Sequence, residues 1–565
     1  MRRHRVHDHG AGARNAIHHI GAEVDGLAVA RDPLAAIVRE GVADVVARGE
    51  RPICEVDVFL LRLTILLALS TLITGSGARA VQQHLAVGAG PDSSPSGAFQ
   101  ARLGVYPLNA NLAEPLLRLT PDFKLEPLLA TKWEYRGANT WRFYLRKDVQ
   151  FHDGQPLTAE AVRWSLENQV KGGFVSFPIA ANAVRVVDDH TVDITTTEPD
   201  LRLPEQLVHP NYSIFALGSD PKTKPIGTGA FRLVEYLPYD RLSVARNETY
   251  WGEKARLDRI TFLFFPDATT RVLALLAGEV DLIVDLPRQQ IGSIAGNPEL
   301  LIARAPVGQV MSLQLNAHGK EPHTLLGDRK LRRAIGHALD REQLVKGVWR
   351  GEAAALTTMT VPAVLGTHAA LVKGIAFDRT KAAALLDEGG WLMQADGLRA
   401  KAGHPLRLTM IANPEIDAAA VQLIQAQLRA VGIDLRWDRL PDIATFAARG
   451  TAGACDLNLA SANQNDLNPL FLPALIYYSK SLRPFVRWYA VGPAFDRIVE
   501  SGLRAEDPDE ARRLAAEAMR LAIDVEAINL PLAGLFRIYG LKRSVEGFVP
   551  HPAQTHQDWT RVHRK

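Results

Sequence analysis

A polar segment between residues 460 and 469 carries side chains that could bind a small polar solute. Residues 456–460 suggest a short strand with leucines on one face, and Asn463, Asp466 and Asn468 follow before Pro469. Carboxylate and amide groups next to apolar walls are typical of small-molecule sites. The pattern predicts ligand contact at these three residues. The alternative for Asn468 is that it only caps a helix starting at Pro469.

Sequence motifs that would indicate catalysis are missing from the chain. It has no Gly-x-Ser-x-Gly elbow, His-Glu-x-x-His pair, Walker loop or dinucleotide fingerprint. The Gly227–Gly229 turn could hold phosphate only if a helix began after it, and an alternating strand follows instead. No Cys/His spacing suggests zinc. We therefore expect a binding protein that is not an enzyme and needs no cofactor, with a secreted hydrolase as the alternative from another class.

Composition narrows the class of protein and of partner. A chain of 565 residues exceeds what one core usually holds, so two or three domains are expected. The hydrophobic content of 47% and the charged content of 22% are ordinary for a globular protein. A net charge of +3, from 65 basic and 62 acidic residues, gives no concentrated basic stripe. Nucleic acid is therefore not an expected partner.

The first hundred residues are predicted to precede the compact protein. Residues 1–59 are rich in Arg and His and are interpreted as a mis-assigned or disordered extension. Residues 60–80 combine Arg62, an apolar run too short to span a bilayer and an Ala-Arg-Ala end, which is typical of a signal peptide cut after Ala80. Residues 81–100 are predicted to be a linker. No Cys stands at the cleavage site, so we expect a protein free in the periplasm.

Local patterns in the next segment predict alternating strands and helices. Residues 141–145 alternate as a strand with one buried face does, and Asp153-Gly154 is a turn signal. A helix opens after Pro156, with Thr158 as its N-cap. Similar alternation continues along the chain, so the predicted fold class is α/β.

Several of these strings resemble one protein family. The run from Trp141 to Gly154, followed by Thr158-Ala-Glu-Ala-Val, resembles the signature of family 5 of the bacterial extracellular solute-binding proteins, the periplasmic peptide- and nickel-binding components of ABC importers. Further matches are Gly227–Leu233, Arg246–Gly252, Gly278–Asp281 and Asp378–Trp391. The resemblance extends from about Leu103 to Pro550.

The resemblance implies a two-lobed periplasmic binding protein of class II type with an additional small α/β domain. Lobe I would comprise residues 101–130, 226–320 and a return at 526–565, the small domain residues 131–225, and lobe II residues 321–525. The implied function is capture of short peptides or a related small polar solute for an inner-membrane ABC permease. A nickel-chelate binder of the same family is the alternative. A monomer is expected.

The resemblance also implies further site residues. Tyr106 and Asn109 match the loop that lines the cleft in the family, and His209 lies near the position of an Arg in nickel-binding relatives. Imidazole can ligate nickel or pair with the carboxylate of a chelator, and a surface histidine is the alternative. Asn468 stands where peptide-binding relatives carry an Asp that pairs with the peptide amino terminus. An amide cannot form that ion pair, so the resemblance to peptide-binding relatives does not extend to this contact.

Overall fold

The computed structural model describes residues 83–90, 109–171, 179–221, 224–414, 416–481, 491–553 and 555–565. The predicted extension, the predicted signal peptide and Tyr106 lie outside these ranges. Residues from Gln83 to Lys565 form one compact unit. Within the described ranges, no helix combines the length and the apolar character that crossing a membrane requires.

The strands are numbered here in chain order. They are β1 His84–Ala89, β2 Leu117–Leu119, β3 Leu125–Pro127, β4 Ala130–Tyr135, β5 Thr140–Leu145, β6 Ile179–Asp188, β7 Thr191–Thr196, β8 Phe231–Leu237, β9 Arg241–Arg246, β10 Arg259–Phe264, β11 Leu282–Ile283, β12 Leu300–Leu315, β13 Ala353–Ala355, β14 Leu392–Met393, β15 Arg399–Lys401, β16 His404–Pro405, β17 Arg407–Ala412, β18 Asp434–Asp438, β19 Leu457–Asn463, β20 Asn529–Lys542, β21 Val545–Glu546 and β22 His563–Arg564.

The helices are numbered in the same way. They are α1 Asn109–Leu112, α2 Ala159–Lys171, α3 Leu203–Gln206, α4 Ala268–Ala277, α5 Ile291–Ala295, α6 Arg329–Ala338, α7 Arg341–Gly347, α8 Pro362–Leu365, α9 Arg379–Glu388, α10 Ala418–Arg429, α11 Ile443–Thr451, α12 Phe471–Tyr477, α13 Pro493–Arg504 and α14 Pro508–Arg520. Short 3₁₀ turns lie at Pro210–Tyr212, Arg288–Gln290, Leu325–Gly327 and Gly366–Leu371, and a π turn at Leu521–Val525.

One large mixed sheet organises the molecule. Its strand order is β18-β17-β19-β12-β20-β11-β1-β10-β9-β8, with β13 paired to β20. We call β1 and β8–β11, with the adjoining ends of β12 and β20, the first half. We call β13 and β17–β19, with the other ends of β12 and β20, the second half. Each half packs its own buried apolar cluster.

Two long antiparallel strands, β12 and β20, join the halves. Residues 300–304 pair with 538–542 in the first half, and residues 309–314 pair with 529–535 in the second. The register shifts between Arg304 and Gln309. Such irregularities interrupt the ladder and bend the strand. This register shift therefore lies where the two strands pass from one half to the other.

A separate four-stranded sheet occupies part of the predicted small domain. Its order is β4-β5-β7-β6, all antiparallel, and α2 contacts β6 and β7. Strands β6 and β7 form a hairpin whose turn lies at Asp189 and His190. Its apolar cluster includes Phe143 and Val162 and extends to Val310 of β12. The bounds of the three domains stay a prediction.

The predicted linker at residues 81–100 is wrong for His84–Ala89. These residues form β1, which pairs in parallel with both β10 and β11 inside the large sheet. Leu85 and Val87 are fully buried. The apolar run is only six residues long, and the Gly- and Pro-rich stretch that follows it suggested a flexible segment.

Helix ends follow the capping signals of the sequence. The Asp267 side chain accepts the Thr270 N–H at 2.7 Å, and Gly278 closes α4 with a φ of 81°. Asp378 caps α9 in the same way at 2.9 Å from the Lys381 N–H. A left-handed φ is accessible to glycine without a steric penalty. The predicted N-cap at Thr158 is confirmed in the same way, because its hydroxyl accepts the Ala161 N–H at 3.3 Å.

Candidate functional site

The carboxyl ends of parallel strands from both halves point toward the junction between the halves. In the first half β1, β10 and β11 run parallel, and in the second half β17, β18 and β19 do. The ladder register places the end of β11 opposite Gly540, and Leu286 after it bonds to Ile538, while the end of β19 lies opposite Gln309. Ligands of open α/β sheets bind outside such carboxyl ends. The candidate site is therefore the cleft where these two sets of strand ends meet.

Asn463 lies at this junction, as the last residue of β19. It stands opposite Gln309 in the ladder, and Gln309 lines a cavity of about 130 Å³ between the two halves. Asn463 is only partly buried. Its position at a carboxyl strand end is the one expected for a ligand contact.

Asp466 and Asn468 are buried in the loop that follows. Asp466 is 0% exposed and Asn468 is 1% exposed. The Asn468 Oδ1 accepts the Leu470 N–H at 2.9 Å, while its own N–H donates to the Asp466 Oδ1 at 3.2 Å. Helix α12, which follows this loop, begins at Phe471 rather than at Pro469. The Asn468 side chain therefore holds a turn ahead of α12 and does not cap that helix, whose N-cap is Leu470 without a side-chain bond. Ligand contact stays a prediction for both residues.

Asp466 belongs to a buried group of carboxyl side chains with Asp200 and Glu205. Desolvation raises the pKa of Asp466 well above its usual range, and the neighbouring Glu205 and Asp200 charges raise it further. Burial likewise raises the pKa of Glu205 to about 7 and that of Asp200 to about 6. Arg202 donates to Glu205 at 2.9 Å. Arg202 also lowers the pKa of Asp200 against the effect of burial, whereas no arginine among the described residues acts on Asp466 in this way.

His209 is held as a hydrogen-bond donor. It precedes the Pro210–Tyr212 turn, and its Nδ1 accepts the Asn211 N–H at 3.1 Å. A neutral imidazole that accepts at Nδ1 carries its proton on Nε2. Burial lowers the pKa of His209 to about 4, so the ring is neutral at pH 7. The Nε2–H suits an acceptor such as a carboxylate better than a metal ion, which needs a lone pair.

Two buried histidines stack behind His209. The rings of His551 and His556 lie 5.3 Å apart. His556 bonds through Nε2 to the Val208 carbonyl at 3.1 Å, and the His551 Nδ1 accepts the Ala553 N–H at 3.0 Å. Their nitrogens are thus engaged by the surrounding chain. Across the described residues, no group of three or more His, Cys, Asp or Glu side chains is arranged to hold a metal ion.

Asn109 begins helix α1, whose contacts run to the Gly227–Gly229 turn. The Gly229 N–H donates to the Leu112 carbonyl at 3.1 Å. A Cβ on Gly227 would lie 2.1 Å from that carbonyl oxygen, and one on Gly229 would lie 2.4 Å from the Asn111 oxygen. The glycines are required by close backbone approach. They allow the turn to pack directly against α1, which gives this turn a role without phosphate.

The family-like Tyr250-Trp251 pair also has a structural role. The Tyr250 hydroxyl donates to Glu114 at 2.7 Å and the Trp251 Nε1–H at 3.0 Å. Thr228 donates to the same carboxylate at 2.7 Å. Desolvation nevertheless raises the pKa of Glu114 to about 7. This buried hydrogen-bond network connects the segment directly after α1, the glycine turn and the segment after β9.

The predicted residues are brought together only in part. The Leu467 N–H donates to the Glu205 carbonyl at 3.2 Å, which joins the loop of Asp466 to the segment that leads to His209. Sequence analysis missed the cavity residues Arg288 and Arg537. Arg288 follows β11 in the pattern of polar residues after a strand end, and that signal could have identified it.

Comparison with known proteins gives one family and close structural matches. Residues 124–482 match the model of the bacterial extracellular solute-binding proteins, family 5 Middle. The chain is 30% identical over 342 residues to the nickel-binding periplasmic protein of Escherichia coli, an alignment that covers 57% of this chain and 64% of that protein. The chain thus spans less than two thirds of that relative.

Two solved structures resemble the fold over most of the chain. NikA from Brucella suis in complex with Fe(III)-EDTA superposes with a TM-score of 0.72 at 25% identity, covering 85% of this chain and all of that one. DppA from Helicobacter pylori in complex with the peptide STSA gives a TM-score of 0.70 at 21% identity, covering 85% of this chain and 98% of that one. The predicted two-lobed α/β fold is confirmed.

Proposed function

Since the chain belongs to family 5 of the bacterial extracellular solute-binding proteins, we propose that it is the periplasmic substrate-binding subunit of an ABC importer. It would capture a short peptide or a related small polar solute and deliver it to an inner-membrane permease. The family match carries this proposal. The junction of carboxyl strand ends between two sheet halves supports it.

The fold supplies a mechanism for capture. Two halves connected by crossing strands can close around a ligand, as hinged binding proteins do. The Gln289 Nε2 of the first half donates to the Asp417 carboxylate of the second at 2.7 Å, so the halves already touch at this side of the cleft. Closure removes water from the ligand and strengthens each polar contact with it.

Capture of a metal chelate is the second candidate, and His209 favours it. An Nε2–H donor held in place by the Asn211 N–H can bind a carboxylate of a chelator while the chelator holds the metal. The E. coli relative is named for nickel, and the Brucella suis structure contains Fe(III)-EDTA. In this proposal His209 recognises the chelator and does not ligate the metal.

The proposal includes binding without turnover. The relatives are binding proteins, and the sequence carries no catalytic motif of the common hydrolases. A panel of esterase and peptidase substrates tests this directly. Turnover that a cleft mutation abolishes would favour the secreted hydrolase.

A thermal-shift screen of the purified full chain tests the proposal. The panel contains di- to pentapeptides, Ni²⁺ with and without histidine, opines and sugars. A ligand that binds only the native state, at 100 times its Kd, stabilises that state by about 2.7 kcal/mol. We expect one class to raise Tm in this way. If no class of ligand raises Tm, the result would count against a solute-binding role.

A further inference from the structure

The charged residues that line the cavity at the junction of the two halves are two arginines, Arg288 and Arg537, and one carboxylate, Asp285. The cavity lies where the register of β12 and β20 shifts, and Arg288, Arg537 and Gln309 border it. Its volume of about 130 Å³ is enough for one small functional group rather than a whole peptide. Gly308 and Pro552 close one wall, with backbone so near that a Cβ on Gly308 would overlap the Pro552 oxygen.

Arg288 is bound only by backbone carbonyls. Its Nη2 donates to the Phe536 oxygen at 2.8 Å and its Nε to the Glu352 oxygen at 3.3 Å. Those bonds orient the guanidinium plane and leave Nη1 without a hydrogen-bond partner among the described residues. Desolvation lowers the pKa of Arg288, which indicates a charge held partly out of water without full compensation.

The carboxylates nearest Arg288 are each engaged by another group. Asp285 pairs with Arg537, and Glu352 accepts both the Nε and the Nη2 of Arg304 at 2.7 and 2.6 Å. Asp417 accepts the Gln289 amide and caps α10. The nearby negative charges are therefore partly neutralised, and the Arg288 charge remains available to a ligand.

Arg537 adds a second guanidinium group to the lining of the same cavity, where it pairs with Asp285. Its Nε is buried without a hydrogen-bond partner in the described part of the chain. Guanidinium groups bind carboxylates through planar, charge-assisted hydrogen bonds. A carboxylate in the cavity would pair with the Arg288 charge, beside the ion pair of Arg537 and Asp285.

We propose that Arg288 and Arg537 form a subsite for a carboxylate group of the transported solute, with Gln309 as an additional amide contact. This inference rests on the proposed function and narrows the ligand class to solutes that carry at least one carboxylate. It also links recognition to the hinge, because the anion would sit where β12 and β20 pass from one half to the other.

Binding of minimal anions to the full chain tests the subsite. Acetate and succinate are titrated by calorimetry against the wild type, with acetamide and succinamide as neutral probes of the same shape. We expect the acids to bind and the amides not to. Arg288→Gln should weaken binding of the acids by roughly 10-fold or more, the usual loss for a charge-assisted hydrogen bond. Arg288→Lys keeps the positive charge but lacks the planar guanidinium, so its affinity for the acids should lie between those of the wild type and Arg288→Gln.

Arg543→Gln is the matched control. Arg543 also bonds a backbone carbonyl, that of Pro298, but it does not line the cavity. It should bind the acids as the wild type does, and circular dichroism checks that each variant is folded. Equal binding of acids and amides, binding unaffected by Arg288→Gln or no binding of either acid would overturn the subsite.

The outcome for the subsite is separable from that for the importer function. A peptide or chelate that binds the wild type and Arg288→Gln equally well would overturn the subsite and leave the solute-binding function in place. Arg288-dependent binding of the acids, with no response to any member of the larger panel, would uphold the subsite and count against the importer function.

Discussion

At the scale of single residues, the polar loop after β19 shows how one pattern serves either folding or binding. Asn463 is placed at a carboxyl strand end beside the cavity, whereas Asp466 and Asn468 turn into the protein and bond within their own loop. The residue types were the ones that sequence reasoning selects for a ligand site. Their directions depend on the packing of the loop against Glu205, which no local pattern encodes.

Replacing Asn468 by Ala separates the two roles. The variant loses the buried bond from the Leu470 N–H to Oδ1, so we expect the free energy of unfolding to fall by about 1 kcal/mol. Urea denaturation with and without ligand measures both effects. A loss of ligand affinity with unchanged stability would show that Asn468 touches the ligand, and it would contradict a role limited to holding the turn.

His209 should make the protein less stable in weak acid. Its pKa is lowered by burial to about 4, so between pH 6.5 and pH 4 the unfolded chain binds a proton that the native state does not. Stability is lost as the pH falls through that window. His209→Gln should therefore lose less Tm than the wild type between pH 7 and pH 5. The exposed His404 supplies the control variant His404→Gln, which should follow the wild type. Identical pH profiles for His209→Gln and the wild type would exclude this role.

At the scale of elements, the segment around α3 contacts the carboxyl end of α13. The Leu201 N–H donates to the Leu503 carbonyl at 2.8 Å, and the Arg202 Nη2 donates to the Ala505 carbonyl at 2.9 Å. The same segment delivers Glu205 to the loop of Asp466. We call the contact between the Asp200–Glu205 segment and the loop of Asp466 the seam. It holds more carboxyl groups than cations, so its stability depends on their protonation.

Glu205→Gln should make the protein more stable at high pH, because it removes a buried carboxyl group that ionises there. The pKa of Glu205 is raised to about 7, so the native state holds its proton more tightly than the unfolded chain, and stability falls as pH rises from about 4.5 to 7. We expect the variant to gain Tm over the wild type at pH 8 and to gain little at pH 5. Thermal melts at the two pH values measure this. A gain of equal size at both values would rule out charge as the cause.

Much of the element structure could be predicted because its signals are local. Caps such as Asp267 and Asp378, the Gly278 stop and the β6–β7 hairpin each depend on a few neighbouring residues. Strand β1 could not, since its six residues gain their stability from β10 and β11, far along the chain. The same holds for the cavity, whose Arg288 and Arg537 meet only through the pairing of distant strands.

At the scale of the whole molecule, continuity of the sheet through β12 and β20 is the feature that relates fold to function. The two strands share one ladder but change register between the halves. Most of the pairing can persist while the irregular stretch bends. The candidate ligand groups, Asn463, Arg288 and Arg537, lie near that stretch, so a bound solute would contact both halves.

The most direct test of a cleft that closes over one solute is small-angle X-ray scattering. The full chain is measured alone and saturated with the panel member that raises Tm most. Closure of the two halves predicts a smaller radius of gyration in the bound state, at unchanged molecular mass. Saturable binding with superimposable scattering curves would contradict closure, and with it the account of this protein as a hinged solute receptor.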